Sequence, residues 1–291
     1  VTAASAGAFA VIGDPVAHSV SPPMQQAAFA ACGIDATYVA ERVPLSFLPE
    51  VWPELARRLS GWNVTRPLKE AALGLVDAVG PEAAACGSVN TVIRDGDRTT
   101  GRSTDGEGFL AALSRVRSGP VARAVILGTG GATRAVAAAL HGSGARVELV
   151  GRNEASGRAI AADLTARGSP VVFAGGPDRL AELLPGAELV VNATPLGDPS
   201  MPGRSPIPDD VALDALEPRP VVFDLVYRPR RTPLLETAAA AECPTVEGIE
   251  MLIEQGARSF ELWTGVPAPA DVMRAAAYRA LDEHAVVAGG G

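Results

Sequence analysis

Short apolar runs recur along this chain, each closed by a turn residue and followed by a longer stretch of Ala and Leu at helical spacing. From the start, "FAVIG" (9–13), "ATYVAERV" (36–43) and "WNVT" (62–65) read as strands followed by such helical patterns, which predicts a parallel α/β arrangement. Within it, "GWNVTRPLKE" (61–70) predicts a strand that runs through a proline into a helix, with Lys69 one turn in. The segment "SVNTVIRDGDRTTGRST" (88–104) breaks the pattern, because two β-rich runs flank "DGD", a hairpin signal; the first domain is expected to close there.

A second α/β series runs through "RAVILG" (123–128), "ARVELVG" (145–151), "PVVFAG" (170–175), "ELVVNAT" (188–194) and "PVVFDLVY" (220–227), and predicts a doubly wound sheet. The Pro/Gly-rich interval "TPLGDPSMPGRSPIPDD" (194–210) then lies just beyond a strand's C-terminal end, where ligands bind in open α/β sheets. From Glu247 onward the pattern is helical; it leaves open whether these helices pack on the first domain or cap the second, and the "AVVAGGG" tail is expected to fray.

Composition narrows the possibilities. With 291 residues, 47% of them hydrophobic, the chain can bury a sizeable core. A net charge of -8 disfavours nucleic acid or an anionic membrane as the main partner, so an anionic ligand must be met by a local basic cluster. No stretch reads as a signal peptide or a membrane span. Cys32, Cys86 and Cys243 are odd in number and widely spaced, which predicts neither a disulfide framework nor a zinc site and fits a reducing cytoplasm.

Candidate chemistry begins at "ILGTGGATRA" (126–135), where Gly128, Gly130 and Gly131 fall between an apolar strand and an alanine-rich helix. There, free amides and the helix dipole favour a pyrophosphate. The strict G-x-G-x-x-G spacing has Thr133 in its last position, so a purely structural turn stays open on this pattern alone. The next strand ends in Val150-Gly151-Arg152-Asn153, with no acid for a ribose hydroxyl. Arg152 suits a 2′-phosphate and points to NADP, with Arg134 as a second candidate; read alone, Arg152 is equally a solvated loop arginine. An S-adenosylmethionine site would leave this cation without a task.

In "GDPVAHSVSPPM" (13–24), Ser21 before Pro22 and Pro23 is explained as an N-cap, which leaves Ser19 over; His18 ranks below Lys69 as a proton carrier. Asn63, Thr65, Asn90, Thr91 and Asp105 stand at strand ends, Asp105 also being placed to cap a helix. Gathered in one cleft, such groups would suit a small polyhydroxylated acid.

Taken together, "GDPVAHSVSP", "GWNVTRPLKE", "SVNTV", "STDGEGF", "LGTGGATRA", "NATPLG", "DLVYRPRRTPLL" and "MLIEQGARSFELWTG" resemble the shikimate dehydrogenase family over nearly the whole chain. The resemblance implies an α/β protein of two domains: a substrate domain over 1–105 completed by the returning helices of 247–291, and a Rossmann-like NADP-binding domain over 106–246. It implies reversible NADPH-dependent reduction of 3-dehydroshikimate to shikimate, with no metal required; a monomer or homodimer is expected. Lys69 and Asp105 match the catalytic pair. Ser19 and Ser21 are expected to hold the substrate carboxylate, with Thr65, Asn90 and Gln255 on carboxylate or ring hydroxyls and Tyr227 near substrate and nicotinamide. Gly128, Gly130, Gly131, Ala132 and Arg152, with Asn192 to Thr194, are expected to border the cofactor.

The chain departs from the family pattern at Ser103 (usually Asn), Thr129 (often Ala), Asp198 (usually Met) and Glu250 (often Gly), none of them a proposed catalytic group. The alternatives are a paralogue acting on quinate or an amino analogue of these ring acids, and a non-catalytic ligand binder on the same fold.

Overall fold

A computed structural model describes residues 7–289, and the chain divides into two units. One comprises the described residues to Ala84, Ser88–Thr104 and the chain from Leu252 on; the other comprises Ala85–Gly87 and Asp105–Met251.

The first unit is built on β1 (Gly7–Gly13), β2 (Ala36–Arg42), β3 (Gly61–Val64), β4 (Ala78–Val79), β5 (Thr91–Asp95) and β6 (Arg98–Arg102), in the order β2-β1-β3-β5-β6-β4. Strands β2, β1 and β3 run parallel, as the alternation with helices predicts. Beyond β3 the sheet becomes mixed: β5 is antiparallel to both β3 and β6, and the hairpin turns through Gly96 at φ 59, the "DGD" signal. The two-residue β4, parallel to β6, is too short for any periodicity to mark.

Helix α1 (Ser21–Ala31) starts on two prolines whose fixed φ suits a first turn, and α2 (Leu48–Arg58) follows β2. No α-helix follows β3. Lys69 sits in a turn closed by Leu68 N–H donating to Thr65 O (2.9 Å), ahead of a single 3₁₀ turn at Ala71–Gly74. The expected helix is absent because only Leu68 and Ala72 are fully buried before Gly74, too little apolar surface to support a longer one. A short α3 (Pro81–Cys86) precedes the hairpin.

One face of this sheet packs Ile12, Leu48, Trp62 and Val64 into a core. On the other, the rings of Phe9 and Phe29 stack with centroids 5.0 Å apart, and the tilted ring of Phe260 follows 5.3 Å from Phe29.

The second unit holds α4 (Asp105–Ser114), β7 (Arg123–Leu127), α5 (Gly131–Gly142), β8 (Arg146–Val150), α6 (Glu154–Ala166), β9 (Val172–Gly175), α7 (Leu180–Leu183), β10 (Leu189–Asn192), β11 (Val221–Asp224), α8 (Pro233–Ala240) and β12 (Thr245–Val246). All six strands are parallel, in the order β12-β11-β10-β7-β8-β9. That is the doubly wound dinucleotide-binding order, with the switch point between β7 and β10. Alternate residues of β7 serve opposite cores, Ala124 and Ile126 one, Val125 and Leu127 the other, which makes its sequence a continuous apolar run.

Two last helices close the chain, α9 (Gly248–Thr264) and α10 (Ala270–Gly289). Helix α10 packs on α1, and the chain from Leu252 on groups with the first unit. The tail expected to fray is helical to Gly289; its last two glycines lie outside the described residues. Among the described residues, no helix is long and apolar enough to cross a membrane.

Candidate active site

The carboxyl ends of β1 and β3, the start of β5 and the end of β6 share one end of the first sheet, because Asn63 faces Thr91 and Thr91 faces Arg102 in the antiparallel register. Gly13 permits the tightest approach there, since a Cβ at that position would lie 2.3 Å from Thr65 Cγ2. Thr65 N–H donates to Ile12 O (2.8 Å), fixing the half-buried threonine beside β1.

Ser19 and Ser21 enter at the same end, and the cap of α1 differs from the one expected. The cap position of α1 is Val20, which makes no side-chain cap bond, and Ser21 is the first helical residue. Ser21 N–H donates to Ser19 Oγ (3.2 Å), so Ser19 does the capping and the buried Ser21 does not. Lys69, half-buried, is held by its carbonyl, which accepts from Val89 N–H (2.9 Å). That bond fixes the lysine backbone beside the residue that precedes Asn90.

Behind these groups lies a buried polar network. Asn90 Oδ1 accepts from Thr104 N–H (2.8 Å) and Thr91 Oγ1 (2.9 Å), while its Nδ2 donates to Thr104 Oγ1 (2.9 Å) and Gln255 Oε1 (3.1 Å). The two hydrogens of Asn63 Nδ2 are shared among Asn90 O (3.0 Å), Thr91 Oγ1 (3.1 Å) and Ser259 Oγ (3.1 Å), and Asn63 Oδ1 accepts from Tyr38 Oη (2.6 Å). Burial pushes the Tyr38 hydroxyl well above its ordinary pKa, which keeps it a donor. Every member is neutral, and satisfied networks of this kind hold side chains in one geometry.

Asn90 and Gln255 were expected here; Tyr38, Thr104 and Ser259 were not. A signal existed for Ser259, which lies one helical turn from Gln255 on the same face of α9. Tyr38 was readable from β2, where buried Ala36 and Tyr38 alternate with exposed Thr37 and Val39.

In the second unit, Asp105 is buried as the first residue of α4, so it lies inside the helix it was placed to cap. Tyr227, half-buried, follows the end of β11. A cavity of about 720 Å³ opens at the switch point, lined by Gly128, Gly130, Arg152 and Thr194 among others. Gly128 has φ +123, and a Cβ there would meet Ala193 O at 2.8 Å, so only glycine allows the ends of β7 and β10 to meet this closely. Nothing stands within 4 Å of a Cβ built on Gly130, which leaves backbone open to a ligand at the start of α5. The cavity is of a size for a dinucleotide portion, and its glycine cradle fits a pyrophosphate.

Thr133, in the place of the last motif glycine, is fully buried, and its hydroxyl accepts from Gly130 N–H (3.3 Å). The departure thus ties down the loop, as the N3 residue of a capping box does. Gly131 and Ala132 form the first turn of α5 and do not line the cavity. Arg134 is committed elsewhere: its guanidinium pairs with Asp163 at 2.5 Å, where Arg167 also binds. It is therefore a helix-to-helix tie within this unit, and its candidacy for the 2′-phosphate lapses.

Asn192 is fully buried beneath the cavity wall. Its Oδ1 accepts from Thr194 N–H (2.9 Å) and Thr194 Oγ1 (2.7 Å), and its Nδ2 donates to Leu196 O (3.2 Å) and Asp224 Oδ1 (2.8 Å). Asp224 also accepts from Val226 N–H (3.0 Å) and Thr232 Oγ1 (2.6 Å). Burial nonetheless raises its pKa to about 6 against the pull of those donors. Asp198 accepts from Ser200 N–H (2.8 Å) and Ser200 Oγ (2.5 Å), an Asx turn that shapes the same loop.

Comparison with known proteins agrees with this geometry. The sequence profile of the shikimate dehydrogenase substrate binding domain matches residues 11–92, and that of the shikimate 5'-dehydrogenase C-terminal domain matches residues 248–278. The chain is 44% identical over 279 residues to the shikimate dehydrogenase (NADP(+)) of Symbiobacterium thermophilum, covering 94% of each protein. Among solved structures, shikimate 5-dehydrogenase from Thermus thermophilus, in complex with NADP(H) and shikimate, is similar at TM-score 0.81 and 39% identity, over 94% of this chain and 99% of that one. Quinate dehydrogenase from Corynebacterium glutamicum, in complex with NAD, gives 0.82 at 29% identity, over 93% and 98%. With relatives this similar over almost its whole length, the chain belongs to the shikimate dehydrogenase family.

Proposed function

We propose that this protein is an NADP-dependent shikimate dehydrogenase, reversibly reducing 3-dehydroshikimate to shikimate. The observation that carries the reading is the 39% identity, over 94% of the chain, to an enzyme solved with NADP(H) and shikimate. The neutral hydrogen-bonding network of the first unit and the glycine-cradled cavity of the second support it, as substrate-binding and cofactor-binding parts respectively. Three free cysteines favour a reducing compartment, and we place the enzyme in the cytoplasm.

A bound NADPH supplies hydride to the ketone carbon; the residues of the chain must orient the ring and manage the oxygen. Ser19 and Ser21 offer hydroxyls to the carboxylate, with Thr65, Asn90 and Gln255 offered to carboxylate and ring hydroxyls. Lys69 meets the negative charge that develops on the carbonyl oxygen and donates its proton there. Asp105 serves as its acidic partner and Tyr227 contacts the ring. In the oxidative direction neutral Lys69 takes the proton from the hydroxyl. Gly128 and Gly130 present backbone to the pyrophosphate, Gly131 and Ala132 supply the helix start, Arg152 pairs with the 2′-phosphate, and Asn192 holds Thr194 at the cavity wall.

The test is absorbance at the nicotinamide band with shikimate or quinate, each with NADP and NAD. Turnover with shikimate and NADP is expected. Turnover only with quinate would make the chain a quinate paralogue, and silence in every mixture from folded protein would favour an amino-analogue paralogue or a non-catalytic binder.

A further inference from the structure

We propose that Glu154 sets the cofactor preference of this protein: it lines the cavity two residues from Arg152, the residue that would hold a 2′-phosphate, and its negative charge works against that anion. The inference rests on the cofactor reading of the cavity above. The cavity's charged lining consists of Arg152 and Glu154, two residues apart where β8 passes into α6. In units that bind an unphosphorylated ribose, an acid just beyond this strand accepts from the ribose hydroxyls; where the 2′-phosphate is bound, a cation replaces it. This chain carries one of each.

A second cation is withheld by the same carboxylate. Arg158, one helical turn on, donates to Glu154 Oε1 through Nε (2.9 Å) and Nη2 (2.6 Å), and its guanidinium lies 5.9 Å above the Phe173 ring. Among the described residues Arg152 makes no ion pair. Arg152, Arg158 and Glu154 together carry a net charge of one arginine, so the Glu154 carboxylate cancels one of the two cations this strand end and helix start could offer an anion. The arrangement predicts a protein that accepts both NADP and NAD and favours the former less than an unopposed arginine would.

Glu154 also belongs to the first turn of α6, where an acid stabilises the helix dipole, and an i,i+4 pair with Arg158 adds support. A purely helical role would move the thermal midpoint and affect all adenine ligands alike. The measurement must therefore separate phosphate from ribose.

Calorimetric titration of the full chain with adenosine 2′,5′-bisphosphate and with 5′-AMP does so without any turnover, in the wild type, Glu154→Gln and Arg152→Ala. Glu154→Gln is expected to tighten the bisphosphate about fivefold, the size of one unit-charge contact near water, and to leave AMP within about twofold. Because Arg152 and Glu154 are both exposed, the gain should shrink as salt is raised. An unchanged ratio of the two affinities in Glu154→Gln, or an equal shift for both ligands, would overturn the proposal. If Arg152→Ala loses no bisphosphate affinity, the cofactor reading of Arg152 fails with it. If Arg152→Ala weakens the bisphosphate while Glu154→Gln changes nothing, only the role of Glu154 fails.

Discussion

The side-chain amide of Asn63 donates to the hydroxyl of Ser259 at 3.1 Å, across 196 residues of sequence. The same hydroxyl lies 2.8 Å from Thr91 Oγ1, so one serine on α9 satisfies two strands of the first sheet. Ser259→Ala should cost about 1–2 kcal/mol of stability by leaving buried partners short of a bond. Urea denaturation measures that loss, and the Michaelis constant for shikimate should rise as Asn90 loosens within the same network. A variant as stable as the wild type would show that the network closes without Ser259.

Lys69→Ala is expected to lower kcat by about 10²–10⁴-fold, the range typical of a lost general acid or base. The backbone bond from Val89 N–H to the Lys69 carbonyl does not involve the removed amine, so folding should be preserved. Steady-state kinetics beside circular dichroism checks both halves; full turnover would remove Lys69 from the mechanism.

Arg152→Ala should raise the Michaelis constant for NADP by roughly 10–100-fold, the value of a hydrogen bond to a charged group, with little change for NAD. Equal losses with the two cofactors would detach Arg152 from the 2′-phosphate.

Asp224 and Asp163 should move stability with pH in opposite directions. The folded pKa of Asp224, about 6, exceeds its ordinary value of 3.8, so the native state keeps a proton that the unfolded chain has released. Its contribution is present below pH 3.8, declines as pH rises to about 6 and is level above, a change on the order of 3 kcal/mol. Asp163 is held below 3.8, first by its hydrogen bond from Arg167 and also by Arg134, so its contribution is present above that value and lost as pH falls. Urea midpoints of wild type and Asp224→Asn between about pH 4 and 7 should show a flatter profile in the variant; parallel profiles would contradict the assignment.

Gly128→Ala places a methyl group 2.8 Å from Ala193 O on a backbone at φ +123, a conformation alanine resists. A loss of about 2–3 kcal/mol and much weaker cofactor binding are expected. Thermal denaturation with and without NADP reads both, and a variant that binds normally would mean the β7 and β10 ends can separate without consequence.

Much of this fold could be read from periodicity. The doubly wound sheet was legible because its central strands β7, β10 and β11 are buried on both faces and appear as apolar runs closed by Gly128, Asn192 and Asp224. The hairpin was legible from Gly96 and its flanking aspartates. What escaped was decided by packing at a distance. The helix expected around Lys69 collapsed to a 3₁₀ turn because the stretch has too few buried side chains to sustain it. Ser21 read as a cap because the residue type fits, yet the actual acceptor lies two residues earlier, at Ser19. Arg134 looked available to a phosphate until the fold supplied Asp163 from a neighbouring helix. Tyr38, Thr104 and Ser259 entered the polar network from three segments that no local pattern relates.

The division of the chain also orders its birth. Gln25 Nε2 donates to Gly256 O at 2.8 Å, deep in the first unit and 231 residues apart, and α1 rests on α10. During synthesis from the N-terminus, the first unit therefore emerges without the helices that seal it, while the second is a nearly continuous segment finished earlier. The part of the protein made first is the part completed last, and its apolar faces around Phe29 wait through the translation of an entire neighbouring unit for Phe260 to arrive.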